Sequence, residues 1–189
     1  MAAIVGISGS LRRGSYNSAL LRACVELAPR GVVITPASIR EIPLYDGDVE
    51  AEVGIPEPVR ALKEKIAEAD GLLLVTPEYN NSLPGVLKNA IDWLSRPPSD
   101  IPRIFGNKPV GLIGASRSRF GTLLAQAAWL PVLRTLGTNT WFGERVLVGN
   151  GPSVFDDAGR IVDERTQAAL MKFVSGFAEF VTGAANRGR

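Results

Sequence analysis

Short apolar runs alternate with helical patterns along the sequence, and this alternation leaves few folds open to the chain. Five runs rich in β-branched residues predict strands at residues 3–8, 32–38, 71–76, 109–115 and 140–148. The first, third and fourth runs ("AIVGIS", "GLLLVT" and "PVGLIGA") lack polar alternation, which is typical of parallel strands buried on both faces. A buried helix segment gives the same pattern, so periodicity alone leaves that alternative open.

Helices are predicted between and after these runs. Apolar residues recur at helical spacing in five segments: 17–28, 59–69, 84–94, 122–137 and 163–182. Pro84 suits a first helical turn, whereas Pro131 predicts a bend or a restart inside the fourth helix. The Pro-rich segment "SRPPSDIP" (95–102) is predicted to be a surface loop.

Repeated alternation of strand and helix specifies an α/β fold with right-handed crossovers. We predict a single domain over residues 1–189, a three-layer sandwich with a five-stranded parallel sheet in the order 2-1-3-4-5 and helices on both faces. In that order the loops that leave strands 1 and 3 open into one crevice, where ligands bind in such sheets.

The chain contains no histidine and one cysteine, Cys24. This excludes Ser-His-Asp and Cys-His nucleophiles, and a single thiol cannot hold zinc or an iron–sulfur cluster. The reactive group of an enzyme built on this chain is therefore expected to come from a cofactor. Cys24 falls on the apolar face of the first helix and is predicted to be an inert core residue.

The charges are nearly balanced, with 21 Lys and Arg against 19 Asp and Glu. This balance, with scattered arginines, argues against nucleic-acid and membrane-surface partners. No apolar run approaches the length of a membrane span, and the opening "MAAIVGIS" lacks the charge order of a secretory signal. We therefore expect a cytoplasmic protein with no nucleic-acid or membrane partner.

The stretch "GISGSLRRGSYN" (6–17) leaves the first strand and enters the first helix. Backbone amides and the positive end of the helix dipole converge there, which favours an anion. No acidic residue follows until Glu26, and the stretch supplies small or polar residues: Gly9, Ser10, Arg12, Gly14, Ser15, Asn17 and Ser18.

The glycine spacing fits neither a dinucleotide fingerprint nor a Walker A loop, because Ser15 and Tyr16 stand where the latter needs Lys and Ser or Thr. The remaining interpretation is a cradle for a terminal phosphate monoester such as that of FMN. The alternative is that Ser15 and Asn17 merely cap the first helix while the glycines form a tight turn.

A second polar loop begins the stretch "TPEYNNSLPGVLKNAIDWLS" (76–95), which follows the third strand and opens onto the same crevice. A plain turn is possible for Pro77, Glu78, Tyr79 and Asn80. A tyrosine in a ligand crevice can also cover a flat ring while its hydroxyl stays in water. The helix after it, with Trp93, is predicted to pack in the core or at an interface.

Together these motifs resemble the NADPH-dependent FMN reductase family of flavodoxin-like quinone, azo-dye and chromate reductases. The matching stretches are "GSLRRGSYN", "TPEYNNSLPGVLKNAIDW", "GASRSRFGTLLAQ" (114–126) and "FDDAGRIVDERT" (155–166). The resemblance spans nearly the whole chain. It implies a flavodoxin-like fold, bound FMN, NADPH as co-substrate, and a homodimer or homotetramer. The implied acceptor is a small molecule such as a quinone, azo compound, free flavin or chromate.

The resemblance also implies roles for residues of three loops. The FMN phosphate would be held by Ser10, Arg12, Ser15, Asn17 and Ser18. The isoalloxazine would be embraced by Pro77, Glu78, Tyr79 and Asn80, and the ring and ribityl side would contact Ser116 and Gly121. The third loop departs from the family pattern at Ser118, where glycine is common, and at Leu124, where arginine is common.

Hydride transfer through a flavin needs no acid or base from the protein, which agrees with the absence of histidine. The 2′-phosphate of NADPH could meet Arg12, Arg13, Arg117 or Arg119. One rival hypothesis is a flavodoxin-like electron carrier without its own NADPH reaction, although a sequence pI near 8.9 is unlike the usual acidic carriers. A specialised organoarsenical reductase ranks lowest. Trp93, Trp129 and the Pro-rich segment are candidates for either a subunit interface or the core and surface.

Overall fold

Parallel strand pairing gives the sheet the order β2-β1-β3-β4-β5. The structure is a computed structural model that describes residues 1–187, with side chains through residue 185. The described strands are β1 (Ala2–Ser8), β2 (Val32–Ala37), β3 (Gly71–Val75), β4 (Pro109–Ala115), β5 (Asn139–Thr140) and β6 (Leu147–Val148). This arrangement confirms the predicted fold class and strand order.

The fifth predicted strand, 140–148, is split into two pieces. β5 pairs with the start of β4 (Val110 beside Thr140), and β6 pairs with its end (Ala115 beside Val148). The Trp141 N–H still donates to the Val110 carbonyl at 2.9 Å, and the chain leaves the sheet after it, with the Trp141 ring centroid 5.0 Å from that of Phe173. Gly143 follows under that indole, where a Cβ would come within 2.6 Å of the ring. The aromatic contact interrupts the strand that the apolar run predicted.

Five long helices correspond to the five predicted ones: α1 (Tyr16–Glu26), α3 (Glu57–Glu68), α4 (Gly85–Leu94), α6 (Leu123–Thr135) and α8 (Glu164–Arg187). The sequence did not predict three short ones: α2 (Gly47–Val53), α5 (Ile101–Ile104) and α7 (Gly151–Val154). α6 continues through Pro131, so the predicted restart there is wrong. The Pro-rich segment is also more ordered than predicted, because Pro98–Asp100 forms a 3₁₀ turn that leads into α5.

Two apolar clusters cover the two faces of the sheet. One contains residues of α3, α4 and α6, including Trp93 and Trp129, and the other contains residues of α1 and α8, including Cys24. Both tryptophans are fully buried, so they belong to the core and cannot form a subunit interface. Their indole N–H groups are satisfied internally, by the Pro43 carbonyl and the Thr76 hydroxyl.

Helix α8 is long and apolar enough, by length and composition alone, to cross a membrane over residues 164–185. Its apolar stripe is accounted for by the fold, because Leu170, Phe173, Phe177 and Val181 are buried against the sheet. A helix that packs in the core of a protein can therefore be as long and as apolar as a membrane-spanning helix.

Candidate functional site

Loops that leave β1, β3 and β4 meet at the carboxyl end of the sheet and line one cleft of about 460 Å³. The cleft lies where the strand order reverses between β1 and β3, and its volume falls in the usual range for small-molecule sites. Nine of the predicted site residues line it: Ser10, Arg12, Ser15, Asn17, Pro77, Glu78, Tyr79, Asn80 and Ser116. Ser18 and Gly121 do not.

The first loop, residues 9–18, is closed by Ser15. Its hydroxyl oxygen accepts hydrogen bonds from the backbone N–H groups of Asn17 (3.2 Å) and Ser18 (3.3 Å), so Ser15 is the N-cap of α1. The side chain is 4% exposed and borders the cleft. Ser15 therefore caps the helix, as one of the two alternatives predicted, and also lies where the other alternative places an anion.

Asn17 connects the first loop to the centre of the sheet. Its Oδ1 accepts from the Ala115 N–H and its Nδ2 donates to the Ala115 carbonyl, both at 2.9 Å. The side chain is 3% exposed. These paired bonds fix the start of α1 against the end of β4, at the floor of the cleft.

Ser18 faces away from the cleft. Its hydroxyl lies 3.0 Å from that of Ser8, and both residues line a separate depression between the first loop and β2. The opposite flank of the first loop touches the second, because a Cβ on Gly9 would come within 2.8 Å of Leu87 Cδ2 and 2.9 Å of Pro77 Cδ. Glycine at position 9 permits this close approach of the two loops.

The second loop, residues 77–82, is a tight reversal held by two backbone hydrogen bonds between Tyr79 and Ser82 (3.1 and 3.0 Å). Asn80 and Asn81 form its tip with φ values of 50° and 60°, a left-handed conformation that asparagine tolerates better than most residues. Tyr79 is 45% exposed on the cleft, and its hydroxyl lies 3.5 Å from that of Ser10.

Glu78 joins the second loop to α6. Its Oε2 accepts hydrogen bonds from the backbone N–H groups of Leu124 (2.8 Å) and Ala125 (2.9 Å). A carboxylate at a helix N-terminus also interacts favourably with the helix dipole. Thr122, the N-cap residue of α6, makes no side-chain cap hydrogen bond. Glu78 supplies the cap of this helix instead.

The third loop, residues 116–121, folds around Ser116. The Ser116 hydroxyl donates to the Gly121 carbonyl at 2.6 Å and lies 3.0 Å from the Ser118 hydroxyl. Gly121 has a φ of 64°, and a Cβ there would meet the Leu147 backbone at 2.8 Å, so this glycine shapes the loop from behind. Arg117 and Ser118 line the cleft, whereas the Arg119 guanidinium lies over the Phe120 ring.

The cleft also includes residues that the sequence analysis did not assign to the cofactor site: Tyr16, Asn81, Ala115, Arg117 and Ser118. Tyr16 stacks on Phe155 with ring centroids 5.2 Å apart, and the Arg12 guanidinium lies 5.3 Å from the Tyr16 ring centroid. Tyr16 lies between two predicted site residues, Ser15 and Asn17, so its position in the sequence could have identified it as part of the cleft.

The chemistry of the cleft fits a phosphorylated flavin. At one end, the Ser10 hydroxyl and the Arg12 guanidinium adjoin the N-terminus of α1, which favours a phosphate. At the other end, Pro77 and Tyr79 offer an apolar and aromatic surface. Among the described residues that line it, Glu78 supplies the single carboxylate, and helix α6 already binds one of its oxygens.

The thiol of Cys24 plays no part in this site. Burial raises its pKa to about 12, because the apolar surroundings disfavour the thiolate. Its position in the core confirms the prediction from the helical pattern.

Comparison with known proteins assigns the chain to a family. A sequence model described as NADPH-dependent FMN reductase matches residues 2–153. The chain is 44% identical to an NAD(P)H-dependent FMN reductase of Pseudomonas aeruginosa over 89% of each protein. It is 40% identical to a 2-hydroxy-1,4-benzoquinone reductase of a Burkholderia species over 94% of this chain and 95% of that one.

A solved structure agrees with these relatives. The flavoenzyme NAD(P)H:(acceptor) oxidoreductase FerB of Paracoccus denitrificans superimposes with a TM-score of 0.86 and 32% identity, over 97% of this chain and 99% of that one. The chain therefore belongs to the NADPH-dependent FMN reductase family.

Proposed function

We propose that the protein is an FMN-dependent NAD(P)H oxidoreductase that passes reducing equivalents from NADPH to a small acceptor such as a quinone, azo compound, free flavin or chromate. One observation carries the proposal. The first loop and the second loop, about seventy residues apart in sequence, line the same cleft at the switch point of the sheet. The relatives' reported activities support the reaction class.

FMN, when bound, supplies the hydride-accepting ring and the route by which two electrons reach the acceptor. The chain's own contribution at the phosphate end is a fixed anion site. Ser10 and Arg12 donate there beside the N-terminus of α1, and Ser15 and Asn17 hold that terminus in place. Because the first loop is already ordered by these bonds, little conformational entropy is lost on binding.

At the ring end, Pro77 and the half-exposed Tyr79 form an apolar wall, and Glu78 keeps that wall against α6. The protein need not move a proton in this proposal, since Glu78 already accepts hydrogen bonds from two backbone amides. Its residues position the reactants and exclude water from one side. Reductant and acceptor then occupy the same open side of the cleft in turn, which predicts ping-pong kinetics.

The visible spectrum of the purified protein tests the proposal. We expect a flavin spectrum, release of FMN on denaturation, and bleaching by NADPH under nitrogen that a benzoquinone then reverses. A colourless protein that does not bind added FMN would overturn the assignment. Bleaching that requires a separate reductase would instead indicate an electron carrier. Intersecting double-reciprocal lines would contradict the shared use of the cleft.

We further propose that a single domain carries this activity in a homodimer or homotetramer in the cytoplasm, where reduced nicotinamide nucleotides are maintained. Exposed apolar side chains around α6 support an oligomer: Phe120, Leu123, Leu124, Leu130 and Phe142. Light scattering tests it. The protein should be larger than 20.2 kDa in solution, and Leu130→Arg should lower the measured mass if α6 lies in the interface.

A further inference from the structure

A second depression, of about 400 Å³, lies on the other side of the first loop, between α1 and the segment after β2. Four arginines line it, Arg12, Arg13, Arg22 and Arg40, and we refer to it as the arginine groove. It shares Ser10 and Arg12 with the cleft. The two depressions therefore lie on either side of the first loop, with Ser10 and Arg12 in the wall between them.

The arginine groove has an unbalanced positive charge. No carboxylate is among its described lining residues, and none of the ion pairs within the described part of the chain uses these four arginines. Carboxylates lie around the groove but not in its lining: Asp156 and Asp157 line an adjoining depression beyond Arg13 and Arg22, Glu26 is one helical turn from Arg22 on α1, and Glu41 follows Arg40. Asp156 is already bound by Arg160 at 2.7 Å.

The arginines of the groove differ in what they contact. Arg40 donates to the Leu11 carbonyl at 2.5 Å and so supports the first loop, and Arg12 lies over the Tyr16 ring. Arg13 and Arg22 are exposed and line the groove from the first loop and from α1, and the Arg22 guanidinium also lies against Gly159, where a Cβ would come within 2.7 Å of its Nη2. Neither residue takes part in an ion pair within the described part of the chain, so both guanidinium groups are available to an anion.

The rest of the lining indicates what kind of anion fits. The hydroxyls of Ser8 and Ser18 lie 3.0 Å apart on one side, and Ser38 adds a third hydroxyl. Leu21, Pro36 and Ile39 provide an apolar surface between them. A flat apolar body that carries phosphate would use both kinds of contact, since guanidinium groups bind phosphate in a bidentate manner.

We propose that the arginine groove binds the 2′-phosphorylated adenosine end of NADPH, with Arg13 and Arg22 as the residues that distinguish it from NADH. This inference rests on the proposed function, because its use requires the nicotinamide end to pass the first loop at Ser10 and Arg12 and enter the cleft. It differs from the expectation that includes Arg117 and Arg119. Those residues lie on the third loop, on the far side of β3 from the groove, and Arg119 is stacked on Phe120.

Isothermal titration of the purified holoenzyme with adenosine 2′,5′-bisphosphate, and with adenosine 5′-monophosphate as its control, tests the groove without turnover. The wild-type protein should bind the bisphosphate at least about tenfold more tightly, equivalent to about 1.4 kcal/mol. The double variant Arg13→Gln/Arg22→Gln should lose that preference. Arg30→Gln/Arg134→Gln, which removes the same charge from exposed positions at the amino-terminal end of the strands, opposite to the end that carries the groove, should keep it.

Steady-state kinetics give a second readout. In Arg13→Gln/Arg22→Gln the KM for NADPH should rise about tenfold while the KM for NADH and the FMN content stay unchanged. Equal binding of the two nucleotides, or equal behaviour of the two double variants, would overturn the proposal. A parallel loss of FMN affinity would also overturn it, by assigning the groove to the flavin phosphate. Failure of the proposed function would appear separately, as a protein that NADPH does not bleach.

Discussion

The first and second loops line one cleft but are built differently. In the first loop, Ser15 and Asn17 are buried and their polar atoms hold backbone groups in place. In the second, the tip at Asn80 and Asn81 is exposed and is held by two backbone hydrogen bonds across a reversal. Under the proposed function, the rigid first loop would bind the phosphate without rearrangement, and the exposed second loop would leave the ring accessible to exchanging substrates.

We expect the largest difference in stability between the two loops to come from Asn17, which joins the first loop to the sheet. Asn17→Ala leaves the Ala115 N–H and carbonyl without partners at a buried position, so we expect the free energy of unfolding to fall by about 3 kcal/mol. Urea unfolding measures it. The control in the second loop is Asn81→Gly, which accepts the left-handed φ of 60° and should change stability by less than about 0.5 kcal/mol. Similar midpoints for the two variants would show that the loops are equally dispensable.

Ser15 allows helix capping to be separated from anion binding. Ser15→Asp retains a good N-cap, so stability should stay within about 0.5 kcal/mol, but it places a negative charge where the phosphate is proposed to bind. We expect FMN affinity to fall at least about tenfold, measured by flavin fluorescence on titration of the apoprotein.

Ser15→Ala should instead lower the free energy of unfolding by about 1 kcal/mol, because the cap is lost. Its effect on FMN affinity should be smaller than that of Ser15→Asp. Ser15→Thr, which keeps the hydroxyl, serves as the conservative control. If Ser15→Asp binds FMN as the wild type does, the phosphate does not lie at the N-terminus of α1.

The sequence predicted the sheet order and the convergence of the loops because both follow from local patterns: buried apolar runs, helical spacing and the rules of parallel connection. It could not predict contacts that depend on distant partners. The sequence suggested a cofactor contact for Asn17 but not its paired hydrogen bonds to β4, 98 residues away. It likewise suggested a ring contact for Glu78 but not the two hydrogen bonds that Glu78 accepts from α6. Trp141 likewise interrupts a strand only because α8 packs over that edge.

Glu78 tests whether the second loop has an anchor comparable to that of the first. Glu78→Ala removes two hydrogen bonds at the α6 N-terminus, and we expect a loss of about 1 kcal/mol in the free energy of unfolding. The KM for a quinone should rise because the wall of the cleft is no longer fixed. Glu78→Gln keeps an oxygen acceptor and should lose less on both measures. A Glu78→Ala protein with unchanged stability would mean that the second loop is held by its backbone reversal alone.

The smallest effect is expected from the hydroxyl that approaches the first loop from the second. Tyr79 Oη lies 3.5 Å from Ser10 Oγ, at the limit of hydrogen bonding, and the residue is 45% exposed, so water can replace that contact. Tyr79→Phe should therefore leave stability within about 0.5 kcal/mol and FMN affinity within about twofold. Tyr79→Ala, which removes the ring, should weaken FMN binding more than Tyr79→Phe does, because the apolar wall is lost. A tenfold loss of FMN affinity in Tyr79→Phe would show that the hydroxyl itself holds the ligand, and the second loop would then bind FMN through fixed polar contacts, like the first.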